Sequence, residues 1–149
     1  MRRATLDDPY DLERFVTAQD ADGTYRQAIT ELRSGTKRSH WMWFIFPQIA
    51  GLGRSETSRK YAISSLDEAR AYLRHQVLGP RLIDSARAVA ALQGLTAGQI
   101  LGSIDARKLH SSMTLFLRAA PDEPLFQGVL DHYFGGLPDP ATEQLLGNL

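Results

Sequence analysis

The chain has 149 residues, of which 43% are hydrophobic and 23% charged, and its 17 basic residues balance its 17 acidic ones. This composition is ordinary for a globular protein, and the length predicts one domain over residues 1–149. The sequence contains no cysteine, which excludes disulfides, thiolate metal sites and a cysteine nucleophile. No window approaches about eighteen apolar residues and no signal-peptide pattern is present, so we expect a cytoplasmic protein that does not bind a membrane.

The charges are distributed unevenly along the chain. Residues 36–60 carry five Lys or Arg against one Glu, whereas residues 121–149 carry five Asp or Glu and no Lys or Arg. A net charge of zero argues against a binder of duplex DNA, which usually needs a strongly basic face. The basic segment predicts instead a site for one small anion, or a docking surface for the chain's own acidic tail.

Signals for the starts and ends of helices recur along the whole chain. The predicted starts are Asp8 before Pro9, the capping boxes Ser65–Glu68 and Thr96–Gln99, Asp105, Asp122, and Asp139 before Pro140. Apolar residues at helical spacing follow these starts, and glycines or prolines end the segments. Strict alternation typical of strands is missing, apart from brief ambiguity at 43–46 and 61–63. The sequence therefore predicts an all-α, compact single-domain bundle of about seven to nine short helices.

The segment of residues 37–48 (KRSHWMWFIFPQ) is the most unusual in composition. Four of the chain's eight Trp and Phe residues lie at positions 41–46, directly after two cations. One interpretation is a core helix that Ser39 caps and Pro47 ends, since aromatic clusters are mostly core. The other is a stacking platform, where a Trp such as Trp43 contacts a base while Lys37 or Arg38 pairs with a phosphate. The two interpretations are compatible if one indole is buried and the other lines a cleft.

Residues 48–61 (QIAGLGRSETSRKY) predict a glycine-containing loop. Glycines let a backbone turn tightly and approach a ligand closely. Ser55 and Ser58 supply hydroxyls, and the planar guanidinium of Arg54 suits a phosphate or carboxylate. The spacing matches neither a Walker loop nor G-x-G-x-x-G. The segment is either a solvated polar loop or a cradle for an anion.

Residues 105–116 predict a helix with a polar stripe. Asp105, Lys108 and Ser111 share one face at three-residue spacing. A Lys near a Ser can form a nucleophile pair, but an ion pair between Asp105 and Lys108 explains the same spacing. The candidates for general acid–base groups are Asp105, Asp131 and Glu56. The four histidines are far apart in sequence, so no metal site is predicted.

Several of these segments together resemble a known family. Residues 39–48 (SHWMWFIFPQ), 51–53 (GLG), 77–82 (VLGPRL), 111–116 (SSMTLF) and 131–136 (DHYFGG) closely resemble the family called domain of unknown function 1810. Some of its members are mislabelled calpastatin. The resemblance spans nearly the whole chain and implies a compact, mainly helical bacterial domain, without implying an established activity.

A more distant likeness extends to the NADAR family of small helical proteins linked to ADP-ribose chemistry. Some members of that family hydrolyse N-glycosidic bonds. They carry a catalytic Glu in a Ser-Glu-His-Tyr type motif, and the comparable run here, residues 39–41 (SHW), has no carboxylate. This likeness implies a pocket of nucleotide size.

We therefore expect a domain that binds a small phosphate-bearing ligand, a nucleotide or ADP-ribose-like group, without a metal or cofactor. The candidate ligand-binding residues are Lys37, His40, Trp43, Gln48, Arg54, Ser55, Ser58, Lys108 and Ser111. If the protein is an N-glycosidic hydrolase, Asp105 or Asp131 would activate the water. The alternative is a non-enzymatic helical protein-interaction module, in which the aromatic segment is core and the acidic tail docks on the basic centre or on a partner. The sequence leaves the oligomeric state open.

Overall fold

Helices account for most of the chain in the computed structural model, which describes residues 5–147. In order they are α1 (Glu13–Asp20), a 3-10 turn (Ala21–Gly23), α2 (Thr24–Ser34), α3 (Met42–Ile45), α4 (Glu56–Lys60), α5 (Leu66–Arg74), α6 (Leu78–Ala90), α7 (Ala97–Leu101), α8 (Ser103–Ala119), α9 (Pro124–Tyr133) and α10 (Pro140–Gly147). Nine of the helices described have five residues or more, and α3 is a single turn. The predicted all-α class is confirmed. Within residues 5–147, no helix has the length and apolar character needed to cross a membrane.

The centre of the bundle is α8, which packs against α5, α7, α9 and α10. Its middle segment is buried on all sides, including Leu109, Met113 and Phe116. Most polar side chains of a helix surrounded by protein form hydrogen bonds within the protein. The hydroxyls of Ser111 and Thr114 do so by donating to the carbonyl oxygens one turn earlier.

The two predicted capping boxes differ in the structure. Thr96 and Gln99 form the complete box, because each side chain accepts a hydrogen bond from the other's backbone N–H. Ser65 caps α5 by accepting from the backbone N–H of Glu68 at 3.1 Å. The Glu68 carboxylate, however, accepts hydrogen bonds from Ser64 and Arg14. The second box is therefore only half formed.

Three other helices begin at, or are capped by, residues different from those predicted. Asp8 accepts from backbone N–H groups four and five residues later, but α1 begins only at Glu13, because Asp11 has a φ of 52° and interrupts the helical backbone. α8 begins before Asp105, which lies in its first turn. α9 is capped by Glu123, and Asp122 does not form the cap.

Ser39 does not cap α3, which begins after Trp41. Its hydroxyl donates instead to Glu31 at 2.6 Å. The prediction of a Ser39 cap was therefore wrong, because a carboxylate from α2 competes for the same side chain.

A single parallel β-bridge, between Ile49 and Ile63, is present among residues 5–147. It consists of two hydrogen bonds of 2.8 Å, from Ala50 N to the Ile63 carbonyl and from Ile63 N to the Gln48 carbonyl. The bridge closes the base of the segment 50–62, which contains α4. We call this segment the glycine loop.

Candidate functional site

A cavity of about 170 Å³ lies between α3 and the glycine loop. One aromatic wall comes from Trp43 and another from Tyr61. The remaining lining comes from the loop and the residues at its base: Gln48, Ile49, Ala50, Gly51, Gly53, Ser58, Arg59 and Ala62. The cavity therefore combines flat apolar surfaces with a hydroxyl, an amide and a guanidinium, the mixture typical of small-molecule sites.

Two glycines are required for the shape of the glycine loop. Gly51 has a φ of 106°, a backbone conformation that residues with a side chain rarely adopt. At Gly53 a Cβ atom would lie 2.3 Å from the Cβ of Ser58, so α4 can fold back only over a glycine. Ser55 caps α4 and donates to the Ser58 hydroxyl at 2.9 Å. This arrangement places Ser58 at the cavity and leaves Ser55 exposed outside its lining.

A buried guanidinium holds the end of the glycine loop from behind. Arg14 donates to the carbonyls of Lys60 and Ala62 at 2.7 and 2.8 Å, on either side of Tyr61. It also pairs with Glu68 at 2.9 Å, and the side chains of this ion pair are 5% and 0% exposed. Sequence reasoning missed Arg14, although a cation directly before Phe15, on the apolar face of α1, is a recognisable signal.

The two indoles have different environments. Trp41 is fully buried, and its Nε1 donates to the Glu31 carboxylate at 2.9 Å. Trp43 is half-buried and forms part of the cavity wall. Trp41 therefore belongs to the core, whereas Trp43 presents a ring surface to the cavity.

Glu31 organises the basic segment that leads to these indoles. Its carboxylate accepts hydrogen bonds from the backbone N–H groups of Arg38 and Ser39, from the Ser39 hydroxyl and from Trp41. Burial acts to raise the pKa of Glu31, but the hydrogen bonds from Ser39, Arg38 and Trp41 outweigh it and lower the pKa to about 2. Glu31 was not a predicted site residue, and its partners are close only in the folded chain.

Two lysines share one carboxylate beside the indoles. Lys37 Nζ lies 2.9 Å from Asp105 Oδ2, and Lys108 Nζ lies 3.3 Å from Asp105 Oδ1. Lys37 Nζ is 5.0 Å from the centroid of the Trp41 ring, and Lys108 Nζ is 4.8 Å from that of Trp43. Of the residues predicted for the site, the structure thus brings Lys37, Asp105, Lys108 and Trp43 together.

The other predicted residues are placed differently. Gln48 and Ser58 line the cavity, whereas Arg54 and His40 are exposed and do not line it. Ser111 is buried, and its hydroxyl contacts the Arg107 carbonyl and Asp139. Sequence reasoning missed Arg59 and Tyr61 in the lining, because their position depends on how the glycine loop closes.

The acidic groups are also separated from the cavity. Asp131 is exposed on α9 and accepts a hydrogen bond from Gln127 at 2.9 Å. Among the described residues, no carboxylate lines the cavity. The same part of the chain holds no cluster of three His, Cys, Asp or Glu residues able to bind a metal ion.

The acidic tail packs mainly on α8. Glu143 of α10 pairs with Arg118 through two contacts of 2.6 Å, and Asp139 accepts from Thr142 and Ser111. The contact of α10 with the glycine loop is apolar, because Leu145 lies against Gly51. The acidic side chains named here therefore contact α8 and α10 itself, and not residues 36–60.

Comparisons with known proteins identify the family of this helical chain. The family model described as a protein of unknown function, DUF1810, matches residues 9–146, and the chain belongs to this family. It is similar to the crystal structure of the conserved hypothetical protein Rv1873 from Mycobacterium tuberculosis, with 50% identity and a TM-score of 0.91. That similarity covers 94% of this chain and 99% of the other. No curated protein matches the chain.

Proposed function

We propose that the protein binds a small phosphate-bearing ligand with a flat ring, a nucleotide or ADP-ribose-like group, in the cavity beside Trp43. The observation that carries the proposal is the half-buried indole of Trp43, which forms one wall of the cavity while the Lys108 ammonium lies 4.8 Å from its centroid. Stacking of a base on an aromatic side chain contributes about 1–3 kcal/mol. A cation beside the ring adds attraction for a phosphate.

The polar groups of the lining suit the other parts of such a ligand. Arg59 offers a guanidinium that can pair with a phosphate through two hydrogen bonds. The Ser58 hydroxyl and the Gln48 amide provide both donors and acceptors. The cavity is smaller than the roughly 300–1,000 Å³ usual for whole ligands, so it would enclose the ring and leave the phosphate at the mouth. Most residues of the lining belong to the basic stretch 36–60.

The geometry favours binding over hydrolysis. A general base has to reach the attacking water directly or through one other water molecule. Both oxygens of Asp105 are held in ion pairs, and Asp131 lies on α9 with a hydrogen bond from Gln127. We therefore propose that the site binds its ligand without cleaving an N-glycosidic bond.

A titration with matched variants tests this function. AMP and ADP-ribose are added to the protein while heat of binding and melting temperature are followed. Saturable binding with a rise in melting temperature is expected, because a ligand selective for the native state stabilises it. Trp43→Leu and Arg59→Gln should each weaken binding about tenfold. Arg87→Gln, an exposed arginine of α6, makes the same charge change away from the cavity and should leave affinity unchanged.

Two results would contradict the proposal. One is the absence of binding of either nucleotide to the wild-type protein at millimolar concentration. The other is binding that both cavity variants leave unchanged while they remain folded. Either would favour the non-enzymatic interaction module.

A further inference from the structure

We propose that Asp105 restrains Lys108 in the unliganded protein, and that Lys108 leaves Asp105 to pair with the anionic group of the ligand. Lys37 stays with Asp105 in both states. This inference rests on the proposed function and deepens it. Lys108 then binds the phosphate together with Arg59, and Asp105 is a positioning residue that competes with the ligand.

The two lysines are held unequally. Lys37 makes the shorter ion pair with Asp105, donates to the Ser39 carbonyl and lies over the Trp41 ring. Its side chain is only 9% exposed. Such a desolvated cation with several partners is costly to move. Lys37 is therefore a fixed part of the structure.

Lys108 is held more weakly. Its ion pair with Asp105 is longer, at 3.3 Å, and its side chain is twice as exposed as that of Lys37, at 18%. An ammonium has three N–H donors on a flexible stem, and Asp105 occupies one side of it. The greater solvent access weakens this pair. Lys108 can therefore exchange its partner at a lower cost than Lys37.

The charges favour this exchange. Two ammonium groups on one carboxylate leave a net charge of +1, and the two cations repel each other. A phosphate monoester carries a charge of about −1.5 to −2 near neutral pH, more than one carboxylate. When Lys108 moves to the phosphate, Asp105 remains neutralised by Lys37. Lys108 itself does not line the cavity, but its ammonium lies 4.8 Å from the centroid of the Trp43 ring that does. A flexible lysine side chain can extend past the edge of that ring toward a phosphate outside the cavity.

In this arrangement, replacing Asp105 should have the opposite effect on ligand affinity from replacing a catalytic base. Removal of a catalytic carboxylate would abolish turnover and leave affinity for the phosphate largely unchanged. Removal of a competing carboxylate should raise that affinity. Comparing AMP with adenosine isolates the effect, since the two ligands differ only in the phosphate.

The experiment measures the dissociation constants of AMP and adenosine by calorimetry at low salt for three proteins. Compared with wild type, Lys108→Met should weaken AMP binding about tenfold. Asp105→Asn should strengthen AMP binding about two- to fivefold. Adenosine affinity should change by less than about twofold in both. Arg107→Gln and Asp122→Asn are matched controls for net charge, and both residues are exposed.

Asp105→Asn also removes the partner of the nearly buried Lys37, so its folding is checked by thermal unfolding. If it unfolds, the double variant Lys37→Met with Asp105→Asn removes both buried charges and keeps Lys108, and it should show the same gain for AMP. An unchanged AMP-to-adenosine ratio in the Lys108 and Asp105 variants overturns this inference and leaves the proposed function standing. Failure of both ligands to bind the wild-type protein overturns the two together.

Discussion

Arg14 and Glu68 form a buried ion pair that joins α1 to α5 and supports the cavity wall at the same time. The N–H groups of Arg14 that do not contact Glu68 donate to carbonyls, including those of Lys60 and Ala62. Since those two residues flank Tyr61, the position of the aromatic wall depends on a charge that is almost completely shielded from solvent. The pair therefore links stability of the bundle to the shape of the cavity.

Replacement of Arg14 by Met should destabilise the protein by about 3–5 kcal/mol, because the buried carboxylate of Glu68 would lose its ion pair with Arg14. The double variant Arg14→Met with Glu68→Leu should regain part of that loss, since neither charge remains. Urea unfolding at pH 7 measures both free energies. A single variant within about 1 kcal/mol of wild type would show that the pair is not a significant support.

Glu31 should make stability depend on acid pH. Its pKa is about 2 in the folded protein against an ordinary 4.5, so its contribution is complete above pH 4.5 and is lost as the pH falls toward 2. The loss amounts to about 3 kcal/mol. Urea unfolding of the wild type and of Glu31→Gln between pH 7 and pH 2.5 measures it. The variant should be less stable at pH 7, and the difference should shrink with acid; a difference constant over this range would contradict the assignment.

Two glycines should respond oppositely to replacement by alanine. At Gly79 a Cβ atom would lie 2.2 Å from the Leu73 carbonyl oxygen, and backbone cannot give way cheaply. Gly79→Ala should destabilise by about 2 kcal/mol or more. At Gly128, inside α9, a Cβ meets nothing within 4 Å, so Gly128→Ala should stabilise by about 0.5–1 kcal/mol. Melting temperatures of the two variants give the comparison, and shifts of the same sign would contradict it.

The two tryptophans should differ in stability and in access to solvent. Trp41→Phe removes buried volume and a hydrogen bond to Glu31, which predicts a loss of about 2–4 kcal/mol. Trp43→Phe should cost less than about 1 kcal/mol, because this indole is only half-buried. Acrylamide quenching of the single-tryptophan variants provides the second measurement. Stronger quenching of Trp41 than of Trp43 would be incompatible with the structure.

The all-α fold class could be predicted from local sequence signals, but the exact starts of several helices could not. The Thr96–Gln99 box was predictable because both partners lie in one turn. Glu68 has the same local pattern, yet its carboxylate pairs with a residue 54 positions earlier. Long-range partners of this kind cannot be found in a window of a few residues.

In the candidate site, too, local contacts could be predicted from the sequence and long-range contacts could not. The ion pair between Asp105 and Lys108 follows from three-residue spacing on a helix, but the approach of Lys37 to the same carboxylate depends on how α2 packs against the rest of the bundle. Arg59 and Tyr61 enter the cavity only because the bridge between residues 49 and 63 closes the loop. Their roles required the three-dimensional structure.

The contact between Leu145 and Gly51 joins the last helix to a wall of the cavity. A chain cut before residue 140 would remove Leu145 and with it the apolar support behind the loop. Removing the last helix is therefore expected to change the shape of the cavity, although no residue of that helix lines it.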